Sequence, residues 1–409
     1  MSKLNGKSQT VLVTDAGRGS AIAVIRSLGR KKYRVIAADA DAKSIGFRSR
    51  YAHEQLVYPA PEAKPQEFCD CLLETVKAKG VDLIIPVTDL AGQPLARARC
   101  SFSEITRLAL PEDTMLKVVT DKDKTWQLAK ELGVPVPETY VVDTAKEAVE
   151  VSERLGWPLV LKPQSSRKLR ESNRIDSFKV TYAADTDDLN SQMQNLEGRC
   201  SVLLQRYCAG IGHGVELLMS EGKPLAAFQH KRLREIPVTG GPSAYRESVE
   251  LDPDLYDYSL RLLQEIRWTG LAMVEFKVGK LGPALMEING RIWGSIPLAV
   301  RSGMDFPALL AELHLRGASA ITPQLNSNYK IGVRCRDLQR DLMWITSVLM
   351  QRRKYKFLEI PTRKRAVLAM LGLFNPRRKF DLLTLNDPLP GLAELPRIVK
   401  KFRSKMQDE

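Results

Sequence analysis

The feature that most constrains this sequence is a pair of alternating segments in its second half. Met273-Val274-Glu275-Phe276-Lys277 and Ala284-Leu285-Met286-Glu287-Ile288-Asn289 both switch between apolar and polar residues, and a Gly-containing stretch from Gly279 to Pro283 separates them. Such alternation marks strands with one buried face, so the two predict a hairpin. A period of two puts Glu287 and Asn289 on one face, with Glu275 projecting beside them from the neighbouring strand. Facing carboxylates repel, and burying them uncompensated costs on the order of several kcal/mol. A divalent cation resolves this, because carboxylate and amide oxygens are the hard ligands that Mg²⁺ takes. The alternative is a solvated face on which Glu275 and Glu287 pair with Lys277 and Arg291. Asn289-Gly290-Arg291 runs into Trp293-Gly294-Ser295, which places a guanidinium and small residues where phosphate or carboxylate oxygens could approach.

The chain opens as a βαβ unit. Val11-Leu12-Val13-Thr14 reads as a strand, Ala21 to Arg30 as a helix and Tyr33 to Ala38 as the next strand; a helix from Pro65 to Lys79 then precedes a buried strand at Val81 to Pro86. Asp89 follows that strand's carboxyl end, where open parallel sheets place their ligands. Punctuation at Leu110-Pro111-Glu112 suggests a boundary, and Thr120-Asp121 starts a helix running to Leu132. Strands and helices then alternate, with strands at Tyr140 to Val142, Leu159 to Leu161, Ser201 to Gln205, Gly214 to Met219 and Pro224 to His230, the last two joined by a turn at Glu221-Gly222-Lys223. Arg336 to Gln351 reads as an amphipathic helix.

Composition narrows the class. A chain of 409 residues with 44% hydrophobic and 27% charged residues is globular and large enough for two or three domains. Its polar first ten residues predict no secretory signal, and no apolar run reaches the roughly 18 residues of a membrane span. Six scattered cysteines and four distant histidines predict no zinc site. The expected location is the cytoplasm. The net charge of +14 calls for acidic partners, and its excess is largely C-terminal: Arg352 to Lys379 holds ten Lys or Arg and one acid, Glu359.

Glu275, eleven intervening residues and then Glu287-Ile288-Asn289-Gly290-Arg291 resemble the metal-binding signature of the ATP-grasp superfamily. Other segments fall in the family's order: Asp121-Lys122 ahead of Gly133-Val134-Pro135; Trp157 to Pro163, containing Lys162; and Leu203-Leu204-Gln205-Arg206-Tyr207-Cys208, similar to the hinge that holds adenine. His230 to Glu235, followed by Thr239 to Ser243 and Arg246-Glu247-Ser248, resembles the carbamoyl-phosphate-synthase-like carboxylate-amine ligase branch. The resemblance spans residues 8 to 317 and implies a mixed α/β and α+β fold: a Rossmann-like pre-ATP-grasp domain (1–111), a two-lobed ATP-grasp domain (112–335) and a basic helical extension (336–409). It implies ATP with Mg²⁺, or Mn²⁺ in its place. Lys122, Lys162, Gln205, Arg206, Tyr207, Cys208 and Glu216 are carried over to the nucleotide, with Glu216 taken for the ribose. Glu275, Glu287 and Asn289 are carried over to the metal, and Arg232, Arg234 and Arg291 to catalysis, the first two expected to share a strand face. Arg18, Asp39 and Asp89 stand on the substrate side. Two departures are the Gly-free loop Gln164 to Lys168 and Arg206, where many relatives have Glu.

The implied activity is formation of an amide from a carboxylate and an amine through an acyl phosphate. Two other readings stay open: a non-catalytic ATP-binding scaffold, and an NAD-dependent oxidoreductase suggested by Gly17-Arg18-Gly19-Ser20 with Asp39 downstream, a partial fingerprint in which Ile22 replaces the third glycine. The expected partners are small carboxylates and amines, with a homodimer as the default assembly. Ala366 to Phe374, bracketed by Arg363-Lys364-Arg365 and Arg377-Arg378-Lys379, suits either packing on the ligase or an anionic membrane surface. Nucleic acid is not expected, since no stacking or groove-reading motif interleaves the basic run.

Overall fold

The computed structural model describes residues 8–163, 167–169, 175–177, 180–238, 240–325, 328–350, 360–375 and 378–407. Strands β1 (Thr10–Val13), β2 (Arg34–Asp39), β3 (Glu54–Val57), β4 (Leu83–Ile85) and β5 (Arg107–Leu108) form a parallel sheet in the order β3-β2-β1-β4-β5. Helices cover both faces, which is why Val11, Leu12 and Val13 are fully buried. Helix α1 (Gly19–Arg30) packs on one side and α2 (Pro65–Lys79) on the other. Helix α3 (Asp89–Arg97) follows β4, and the short α4 (Arg99–Phe102) follows α3. Strand order reverses between β1 and β4, opening a crevice at their carboxyl ends.

Helix α5 (Asp113–Thr120) meets α6 (Lys122–Glu131) at Asp121, whose carboxylate accepts from the Asp123 and Lys124 N–H groups at 3.0 and 3.3 Å. The cap falls where the sequence places it; α5 ahead of it is not apparent there. A small antiparallel sheet comes next. It is built from β6 (Thr139–Val142), β7 (Leu159–Pro163), β10 (Thr181–Ala183) and β11 (Val202–Arg206) in the order β10-β7-β11-β6, with a separate ribbon of β8 (Arg167–Leu169) and β9 (Ile175–Ser177). Helices α7 (Ala145–Leu155) and α8 (Thr186–Gln194) pack on Leu159, Leu161 and Leu204. The opposite face, carrying Lys162 and Gln205, is left toward the rest of the chain.

The largest sheet comprises β12 (Ile211–Ser220), β13 (Lys223–Glu235), β14 (Ser243–Val249), β15 (Gly270–Gly279), β16 (Gly282–Asn289), β17 (Arg334–Arg336) and β18 (Lys379–Phe380), in the order β16-β15-β12-β13-β14-β17-β18. The predicted turn joins β12 to β13, with φ of 48° at Glu221 and 79° at Gly222. One face packs with α9 (Pro253–Glu265) and the α5–α6 pair. The other packs with α10 (Ile296–Ser302) and α11 (Phe306–Arg316) in a core that runs on into the parallel sheet, so Val11 and Trp293 belong to one cluster.

The C-terminal region departs from expectation. The predicted helix 336–351 is α12 (Leu338–Leu349), and the expected boundary after residue 335 falls inside β17. Helix α13 (Arg363–Leu371) packs on α12, β18 joins the large sheet beside β17, and α14 (Pro388–Gln407) returns to the turn Ile45–Arg48 of the first unit. The extension thus adds a strand to the large sheet and packs a helix on the first unit, rather than standing apart from both. Its anchor is a buried ion pair: Arg26 donates to Asp387 Oδ2 at 2.8 Å, and Asp387 also accepts from Ser49 Oγ at 2.7 Å and the Arg50 N–H at 2.9 Å.

Candidate active site

The hairpin β15–β16 sets Glu275 directly opposite Glu287 and Met273 opposite Asn289. The Asn289 amide nitrogen donates to Glu275 Oε1 at 3.1 Å and to Glu287 Oε1 at 3.0 Å, so the three side chains converge on one point. Turned over, the same amide would present its oxygen there. Burial pushes the Glu275 carboxyl up to about 7; Arg232 works against that rise and Glu287 adds to it. Two carboxylates and an amide form a hard-oxygen set that fits Mg²⁺. Among the described residues, no three His, Cys, Asp or Glu side chains gather as a metal cluster, so the amide is integral to the set.

A narrow cleft of about 40 Å³ lies against this strand. Lys122, Lys162, Gln205 and Glu287 line it, together with apolar Val136, Leu203, Leu285 and Ile288. Lys162 is half-buried in the cleft wall, and the loss of water around its ammonium lowers its pKa to about 8; Glu287 opposes the shift and Lys122 reinforces it. Burial likewise lowers Lys122, again against the pull of Glu287. Gln205 is held by a hydrogen bond to Thr139 Oγ1 at 2.8 Å. In the hinge, the Arg206 and Tyr207 N–H groups donate to the Glu138 and Pro158 carbonyls at 2.9 and 3.3 Å. The Arg206 side chain pairs with Glu138 and donates to the Leu155 carbonyl, while the Tyr207 ring packs edge-on against Tyr182. Cys208 is raised by burial, with Lys162 opposing the rise. Gln164 to Ser166 of the Gly-free loop lie outside the described residues.

Arg232 pairs with Glu275 and, at 3.1 Å, with Glu235, which also holds Lys277 at 2.8 Å. Burial works against the Arg232 charge, but the two carboxylates outweigh it and hold its pKa above the ordinary value. Arg234 does not join this group. It pairs with Asp341 of α12 and stacks over Tyr245 and Trp344. The reason is a bulge: β13 loses register with β14 between Arg232 and Arg234 and again before Glu235, so Glu235, three residues on, reaches Arg232 instead. Glu216 is a second correction. It is fully buried beneath the site, accepting from Ser295 Oγ at 3.1 Å, with His230 Nδ1 at 3.0 Å. Burial pushes Glu216 well up and His230 well down, and with no exposed atom neither side chain reaches the cleft.

Asp89, expected on the substrate side, meets Arg291 at 2.8 Å. They line the larger cavity, about 320 Å³, between α3, α5 and the ends of β15 and β16, walled by Leu110, Leu116, Leu271 and Leu310. This cavity is eight times the cleft's volume, yet the lysine and carboxylate chemistry lies in the cleft; Arg291, two residues beyond Asn289, connects the two. Arg18 and Asp39 are elsewhere. Arg18 is exposed before α1, and Asp39 ties the turn before α1 to the loop after β2, accepting from the Gly17 N–H at 2.6 Å and Ser44 Oγ at 3.0 Å. Arg397 of α14 closes that corner through Asp41 at 2.8 Å, so Asp39 does not stand open for a dinucleotide ribose.

Residues 199–336 match the family model described as ATP-grasp in the biosynthetic pathway with Ter operon. The carbamoyl phosphate synthase large chain of Methanosarcina barkeri is 42% identical over 245 residues, 57% of this chain and 21% of that relative. The chain also spans only 20% to 39% of three carboxylases that it matches. Among solved structures, the biotin carboxylase domain of Hydrogenobacter thermophilus 2-oxoglutarate carboxylase, in complex with MgADP and bicarbonate, aligns with a TM-score of 0.59 at 17% identity, covering 80% of this chain and 73% of that one. The L-amino acid ligase of Bacillus licheniformis aligns with a TM-score of 0.56 at 14% identity, covering 76% and 75%. Residues 199–336 thus match an ATP-grasp family, and Glu275, Glu287 and Asn289 of the hairpin lie inside that match.

Proposed function

We propose that this protein is an ATP- and Mg²⁺-dependent ligase that joins a small carboxylate to an amine through an acyl phosphate. The observation that carries the reading is the convergence of Glu275, Glu287 and Asn289 beside a cleft lined by Lys122 and Lys162. Glu275, Glu287 and Asn289 would hold the metal, which supplies charge neutralisation at the phosphates. Lys122 and Lys162 bind and orient phosphate oxygens, and apolar Val136, Leu203 and Leu285 with the hinge around Gln205 and Cys208 receive the base. Arg232 favours the ionised form of Glu275 and holds it in place. Arg291, released from Asp89, meets the carboxylate in the adjoining cavity, where the parallel unit 1–111 would contribute Asp89 and the start of α3. The carboxylate oxygen attacks the terminal phosphorus and ADP leaves. The amine nitrogen then attacks the acyl carbon, the C–O bond to phosphate breaks, and the nitrogen gives up a proton. The work of the protein is positioning and charge complementarity.

The test is ADP release by the full chain with Mg²⁺ and ATP across pooled amino acids, small carboxylates and amino sugars, beside Glu287→Ala. Turnover that needs both a carboxylate and an amine and is lost in the variant supports the ligase. Tight Mg²⁺-dependent ATP binding with no pool stimulating hydrolysis favours the non-catalytic scaffold instead.

A further inference from the structure

Helix α13 has two apolar sides, and the fold uses one. Ala366 and Ala369 are buried against Trp344, Ile345 and Val348 of α12. Val367, Leu368, Met370 and Leu371 of α13, with Phe374 in the single turn just after it, point away, at 42% to 84% exposed. Their spacing places them along a single outward stripe. Helices of a globular protein ordinarily turn charged residues to water there, and a contiguous exposed apolar stripe marks a surface built for something.

The charges around the stripe identify what covers it. Arg363, Lys364 and Arg365 are exposed in the first turn of α13, and Lys379 is exposed beyond its end. From Ile360 to Phe380 the sequence holds six Lys or Arg and no acid. Cations in the first turn oppose the helix dipole, so they do not serve the helix itself. An apolar stripe about two turns long, flanked by cations that carry long aliphatic stems, matches the boundary of an anionic bilayer: the side chains enter the acyl edge and the charges meet the headgroups. A second copy of this chain would bring the same cations against themselves. No helix among the described residues is long and apolar enough to cross a membrane, so the contact is peripheral. We propose that the outward face of α13 docks the protein on an anionic membrane surface, placing the ligase site beside substrates carried there.

The experiment is flotation of the full chain with vesicles of phosphatidylcholine containing about one third phosphatidylglycerol, against phosphatidylcholine alone. The expected result is co-flotation with the anionic vesicles only. Leu371→Glu/Phe374→Glu should lower the bound fraction about tenfold or more, and Arg363→Gln/Lys364→Gln by a similar factor, with Mg²⁺–ATP binding unchanged in both. These side chains are exposed, and an unchanged urea midpoint shows that the variants fold. Failure of the native protein to float, equal recovery on neutral vesicles, or flotation of the Glu variant like the native chain overturns the proposal. So does a drop in the native protein's mass by light scattering on Leu371→Glu/Phe374→Glu, which would assign the face to a second copy.

Discussion

Lys162 turns the electrostatics of the cleft into a measurable pH dependence. Burial holds its ammonium at about 8, against an ordinary value of 10.5. A triphosphate selects the charged form, so binding draws the pKa back up, and linkage fixes the sign: the Lys162 contribution to affinity is level below pH 8 and falls as pH rises above it. Each pH unit between the free and bound values costs about 1.4 kcal/mol, or about tenfold in Kd. Mg²⁺–ATP should therefore bind about tenfold more weakly near pH 9 than near pH 7. Titration calorimetry across that window reads the effect directly. Lys162→Arg keeps its charge throughout and should flatten the profile; Lys162→Met should be weak and flat. A native profile level from about pH 7 to 9.5, or a slope kept in the Arg variant, would refute the argument.

Three further outcomes follow from other parts of the fold. Asp387→Ala leaves Arg26 buried without its carboxylate and should cost about 3–5 kcal/mol in urea unfolding, while Arg26→Leu/Asp387→Leu recovers much of the loss. At Gly290 a methyl would overlap the Trp268 ring, so Gly290→Ala should lower stability by about 1–3 kcal/mol by thermal or urea unfolding. Arg232→Met should abolish turnover by freeing Glu275 from its partner, whereas Arg234→Met should lower the melting temperature and leave kcat nearly intact; equal catalytic defects would contradict the split of the two arginines made by the bulge.

The hairpin and the βαβ opening are legible in the sequence because their signals are local: alternation, turn residues and a strand followed by a segment of helical spacing. Glu275, Glu287 and Asn289 can be placed together from period two alone, and Lys122 is findable beside its Asp121 cap. Arg234 defeats the same rule, because a bulge leaves no mark in the composition of β13. Glu216 misleads for another reason. A Glu in an alternating strand normally faces water, and only the tertiary packing of Ser295 and His230 shows that it is buried. Strands β17 and β18 are three and two residues long, too short for periodicity, and they pair only because α12 and α13 form the connection between them. Asp89 and Arg291 are 202 residues apart, so their contact has no sequence signal at all.

The closure made by Asp387 bears on how the chain acquires its structure during synthesis. Arg26 leaves the ribosome 361 residues before its counter-ion. The parallel sheet can collapse early around Val11, Ile25 and Val35, but it does so with the α1 guanidinium still lacking its carboxylate and with the corner at Gly17 uncovered. Only when β18 and α14 emerge are both the first unit and the large sheet completed, by a single stretch of about thirty residues. Loop-closure entropy makes such distant pairings slow. The first unit's buried ion pair can thus close only after almost the whole chain has been made, alongside the last strand of the large sheet.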